Sequence, residues 1–133
     1  MRTQKVSKSK YGNFLQKADE YLRSAKDAFE REHWNSAVGN SVHCCINSAD
    51  ALLVFYLGMR STGERHSDAL PLLRQLPLES DVISSRMKQL SNVLGQKTKA
   101  EYTETLLSRK TAEVALKETE RFYSWVKESL KSD

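Results

Sequence analysis

Apolar residues along this chain recur at spacings of three and four and nowhere alternate with polar ones, so the pattern predicts helices and no strand. From Tyr11 to Glu32 they fall at Tyr11, Phe14, Leu15, Ala18, Leu22, Ala25, Ala28 and Phe29, with Lys17, Asp19, Glu20, Arg23, Lys26 and Asp27 largely on the other side. The short link Arg31–Glu32–His33 then makes the next helix an antiparallel neighbour. That helix, Trp34 to Arg60, contains no proline, and its second half, Ala49–Gly58, reads ADALLVFYLG. A helix that is apolar all round is buried, so this segment is the central helix against which the rest packs. Trp34 anchors its corner, and Asn35 or Ser36 is available as its cap.

Ser61, Thr62 and Gly63 form a turn cluster after it. A short third helix restarts near His66, with Ser67 as a cap and Pro71 in its first turn, and ends by Leu76–Pro77. A fourth, Ser80 to Leu94, buries Val82, Ile83, Met87, Leu90, Val93 and Leu94, with Gly95 closing it as a C-cap. Gln96 to Arg109 is the least regular stretch. The last helix, about Ser108 to Lys131, buries Ala112, Ala115, Leu116, Thr119, Phe122, Val126 and Leu130. The fold class is therefore all-α, an antiparallel helical bundle of about five helices, forming a single domain over residues 11–133.

Two apolar surpluses point beyond one bundle. Phe122, Tyr123, Trp125 and Val126 cannot share one side at 100° per residue, so Trp125, and partly Tyr123, turn outward, as aromatics with polar tips do at protein contacts. One core also does not readily cover every side of Ala51–Leu57, and an isologous homodimer is the commonest soluble remedy.

Charge changes the picture once it is located. The chain has 21 basic and 17 acidic residues, and this surplus of four equals the four cations Arg2, Lys5, Lys8 and Lys10 at the start, where no acid lies among them. The remainder is charge-balanced, and residues 1–10 read as a basic flexible tail that is solvated or holds phosphate without sequence preference. Those ten residues lack the apolar core of a signal peptide, and no apolar run approaches the roughly 18 residues of a membrane span. The expected location is the cytoplasm, without membrane association. Cys44 and Cys45 are helical neighbours pointing about 100° apart, which suits two small buried hydrophobes better than a disulfide.

Candidate chemistry is sparse. Ser36, Asn40, His43, Asn47 and Asp50 fall on one face of the central helix, either as a groove for a phosphate or base or as a stripe that faces solvent or bonds across an interface. No C-x-x-C or H-x-x-x-H pair starts a metal site, and no glycine-rich loop cradles phosphate, so neither metal nor cofactor is expected. Arg60 and His66 stand six apart at the junction of the central and third helices. An Arg that stabilises a phosphorane and a His that moves the proton of a 2′-hydroxyl would suit metal-independent RNA cleavage.

The segments Ala49-Asp50-Ala51-Leu52-Leu53, Gly58, His66 and Leu70, followed by Lys97-Thr98-Lys99-Ala100-Glu101-Tyr102 and a long final helix, resemble the HEPN domain family. The resemblance implies a helical bundle that pairs into dimers, in the company of nucleotidyltransferases or of toxin–antitoxin and defence systems. It further implies metal-independent RNase activity in members with an R-x(4–6)-H motif. At the place of that motif this chain has Lys97 and Tyr102. Lys lacks the planar fork of Arg, and Tyr is a poor base at neutral pH. Two readings follow: a non-catalytic dimeric module that binds a partner protein, a nucleotide or RNA through Asn40, His43, Asn47, Asp50, Lys97, Lys99 and Tyr102, or an RNase that uses Arg60 and His66. Whether the protein is an enzyme stays open at this stage.

Overall fold

The computed structural model describes residues 2–62 and 66–131, apart from the side chains of His66 and Ser67. Gly63, and the capping role expected of Ser67, lie outside the described residues. The elements are β1 (Thr3–Lys5), α1 (Tyr11–Glu30), α2 (Trp34–Leu57), β2 (Met59–Ser61), α3 (Leu70–Leu73), α4 (Ser80–Leu94), α5 (Lys97–Tyr102) and α6 (Arg109–Lys131). Turns of 3-10 helix at Lys8–Lys10 and His66–Ala69 lead into α1 and α3. The bundle is all-α as the periodicity requires, with the small sheet as an appendage.

α1 and α2 form an antiparallel pair joined by a tight corner. Phe29 packs on Trp34 beside the corner at 5.1 Å between ring centroids, and Tyr11 meets Phe55 at the far end at 4.9 Å. The corner contains Glu32 at φ 62°, a left-handed conformation that a side-chain-bearing residue rarely adopts. Asn35 does not cap α2. Its Oδ1 instead accepts a hydrogen bond from the Leu107 amide at 3.1 Å, fixing the chain as it enters α6.

α6 packs along α2 beside α1, touching both, and runs in the same direction as α2. Three contacts in register establish this: Asn35 with Leu107, Cys45 with Thr119 at 3.4 Å, and the Tyr56 hydroxyl donating to the Ser129 carbonyl at 2.8 Å. Packed against both α1 and α6, α2 is buried without a break from Ser48 to Phe55. α4 covers α6 from outside, with Ile83, Leu90 and Val93 buried in the shared core.

Several sequence expectations change here. Thr3–Lys5 is a strand, where a flexible tail was expected, and it pairs antiparallel with Met59–Ser61. Gly58 makes that return possible: at φ 66° it ends α2 in the left-handed region, its amide bonding the Val54 carbonyl at 3.0 Å while its own carbonyl accepts from Val6 at 2.9 Å. Gly95 keeps a right-handed helical conformation, so α4 turns through two residues into α5, a helix the sequence pattern did not mark. Tyr123 is buried, its hydroxyl donating to Asp19 on α1 at 3.1 Å, with burial and that carboxylate pushing its pKa up to about 12. Trp125 is half-buried, lying against Phe122 with the Arg86 guanidinium 5.7 Å from its ring centre.

Candidate functional site

The polar residues of α2 divide into two places. Asn40, His43 and Asn47 lie half-buried along one face, where Asn40 and Asn47 each donate an amide hydrogen bond to the carbonyl one turn back, both at 2.9 Å. Gly39 sits in the same stretch, and a Cβ there would meet Glu101 Oε1 at 3.5 Å, an ordinary contact distance, which shows the α5 carboxylate lying directly over this part of α2.

α5 lies across this face and supplies the charged groups. Glu101 is bonded on both sides, its Oε1 3.3 Å from His43 Nε2 and its Oε2 3.4 Å from Lys97 Nζ. Lys97 also donates to the Tyr102 hydroxyl at 3.3 Å and sits 4.8 Å from that ring's centre. Desolvation pulls on the Lys97 ammonium, but the Tyr102 hydroxyl and the Glu101 carboxylate outweigh it and hold its pKa above the ordinary value. On the far side of His43, Tyr21 of α1 stacks on the imidazole at 5.0 Å. The result is a continuous chain of contacts, Tyr21–His43–Glu101–Lys97–Tyr102, drawn from three helices. It ends in a tyrosine that is 70% exposed. Lys99 lies on the exposed side of α5. Chemically this is a surface with an aromatic platform, a cation beside it and amide groups behind, which suits a base and a phosphate.

Asp50, the fifth member of the stripe, belongs to a different structure. It is 3% exposed and accepts from Arg60 Nε at 3.1 Å and Nη2 at 3.0 Å. Burial raises the Asp50 pKa to about 6, against the opposing pull of the guanidinium. Arg60 also lies over the Phe14 ring at 5.3 Å and faces Gln4 across the strand pair. The guanidinium proposed for catalysis is thus engaged in tying β2 to α2. The side chain of its intended partner, His66, lies outside the described residues. Cys44 and Cys45 are buried, and that burial raises both thiols, Cys44 to about 12, so neither is a thiolate at neutral pH. Among the described residues no three His, Cys, Asp or Glu side chains converge as a metal site would require.

Two members of the groove escape the sequence reading. Glu101 was signalled by its place four residues after Lys97, an ion-pair spacing, but only with α5 recognised as a helix. Tyr21 left no signal, because its partner lies on another helix.

An all-α bundle with a buried central helix, a short helix crossing it and a polar groove between the two defines a class of small helical modules. The sequence profile of the HEPN domain matches residues 11–129, and the chain belongs to that family. The fold is also that of TT1696 from Thermus thermophilus, whose crystal structure aligns with a TM-score of 0.74 at 20% identity, covering 90% of this chain and 97% of that one. No curated protein matches the sequence. No described helix is long and apolar enough to cross a membrane.

Proposed function

We propose that this HEPN domain is a non-catalytic module that binds RNA or a nucleotide as a homodimer, through the groove between α2 and α5. The observation that carries the reading is Tyr102, exposed yet held in place by Lys97, next to half-buried Asn40, His43 and Asn47. An aromatic ring fixed in the open stacks on any base, and an adjacent ammonium receives the phosphate that accompanies it. The non-catalytic part is supported by Lys97 and Tyr102 at the place of the family's motif and by the engagement of Arg60 with Asp50. The cellular setting suggested by family membership is a toxin–antitoxin or defence system with a nucleotidyltransferase-type partner.

Fluorescence anisotropy with a labelled single-stranded RNA tests the groove. Tyr102→Ala should weaken binding roughly tenfold, given that base stacking contributes about 1–3 kcal/mol per base. Lys97→Ala should weaken it as well and lower the salt dependence by about 0.7 in log–log slope. Affinity unchanged in both variants would overturn the groove. The RNA should remain intact. Cleavage in EDTA that disappears in both Arg60→Ala and His66→Ala would replace this reading with the RNase.

A further inference from the structure

Three large hydrophobic residues are exposed among those described: Tyr102 in the groove, Leu106 in the loop before α6, and Val114 on α6 itself, 46% exposed. Val114 borders a hollow of about 340 Å³ between α4 and α6, with Val93, Ala115 and Thr111 among its walls and Asn92, Gln96, Lys110 and Glu118 around it. The nucleotide reading makes no use of this hollow. On α6, Lys110, Val114 and Glu118 stand four residues apart and so form one line along the helix: cation, apolar centre, anion.

That line has a property that an arbitrary partner would not require. If a second α6 is laid antiparallel across the first, with a two-fold axis at Val114, the two valines meet. Each Lys110 then faces Glu118 of the partner subunit, so that one apolar contact and two ion pairs form together. Charge order along the helix is thus complementary to its own reversal, which is the signature an isologous contact needs. Among the described residues these charges make long pairings, Lys110 with Glu113 at 3.9 Å and the partly buried Glu118 with the exposed Arg121 at 3.7 Å. Pairs of that kind contribute little and exchange readily. Thr111, small and half-buried beside Val114, permits the close approach that two helices packed at roughly 8–10 Å require.

We infer that the α4/α6 face centred on Val114 is the surface through which two copies of this chain pair, with Lys110 and Glu118 setting the antiparallel register. The inference rests on the dimer in the proposed function and assigns its interface. It places that interface on the first half of α6, away from Trp125, which is half-buried against Phe122.

Sedimentation of the full chain across micromolar concentrations tests it. The parent should form a species of twice the 15.2 kDa chain mass. Val114→Glu should yield a monomer that keeps its helical circular dichroism and melts at a temperature independent of protein concentration, whereas the parent's melting temperature should rise with concentration. Lys110→Glu and Glu118→Lys should each raise the dissociation constant roughly tenfold, since each places like charges together twice across the axis. The double exchange Lys110→Glu with Glu118→Lys restores the pairing and should bring the constant back near the parent value. A dimer unaffected by Val114→Glu and by both single reversals would overturn this interface and leave dimerisation standing. A parent that stays monomeric at tens of micromolar would overturn both.

Discussion

Asp50 is the residue whose environment departs furthest from water while it still carries charge at neutral pH. Its burial costs more than the Arg60 guanidinium returns, a common balance for an ion pair taken out of solvent. With a native pKa near 6 and an unfolded one near 4, the native state holds the proton more tightly between those limits. Stability therefore falls as pH rises through roughly pH 4 to 6, by up to about 3 kcal/mol from this group alone. Asp50→Asn should remove that component. Urea melts of parent and variant across pH 4–7 should diverge within that window and run parallel above it, whereas parallel profiles throughout would place the titration elsewhere. In exchange for the cost, the pair fixes where β2 docks. Its double role as a stripe residue and a strand tether was hidden in the sequence, because the Arg that claims it follows ten residues later around a left-handed glycine.

Among the elements, α2 decides whether anything folds. Leu53 is fully buried within the central cluster, so Leu53→Ala should cost about 2–5 kcal/mol, read as a lower urea midpoint. A change under about 1 kcal/mol would mean the site collapses around the smaller side chain. The long helices were legible because their periodicity is the same fact as their burial: Ala18, Leu22, Ala25 and Ala28 are the buried residues of α1. α4 also begins and ends where its pattern does, at Ser80 and Leu94. What stayed hidden was short or non-local. β1 and β2 are three residues each, β1 is exposed throughout, and they pair across more than fifty residues, so alternation had nothing to act on. α5 is six residues with none buried, too short for a face to repeat. Half of the candidate groove was therefore visible as the α2 stripe, and the half supplied by α5 was visible only as a cluster of interesting residues without a geometry. Tyr123 was misplaced because it is buried against Ala18, Leu22 and Cys44, with its hydroxyl on Asp19, on helices far away in the sequence.

At the scale of the molecule, charge is distributed by the ordering of the amino-terminal segment. The strand fixes Lys5 against Met59, and the 3-10 turn sets Lys8 over the Phe55 ring at 4.3 Å, so the surplus positive charge sits at the α2 carboxyl end. The groove, centred on His43, lies about 20 Å away along the axis, from the helical rise over the fifteen residues to Gly58. If RNA extends from one to the other, Lys5→Ala together with Lys10→Ala should lower the salt slope of binding by about 1.4 and leave the Tyr102 contribution unchanged. A slope equal to the parent's would confine the RNA to the groove.

The arrangement of α1, α2 and α6 also sets the order in which the chain becomes safe from aggregation as it is made. α1 and α2 are contiguous and can close as a hairpin while still emerging from the ribosome. The side of α2 that contacts Thr119 and Ser129 has its cover in α6, which is synthesised only later. At about 5–20 residues per second, translating from the end of α2 to the end of α6 takes roughly 4 to 15 s. During that interval an apolar helix flank has no native partner and must be shielded by the tunnel, by a chaperone or by transient contacts of its own.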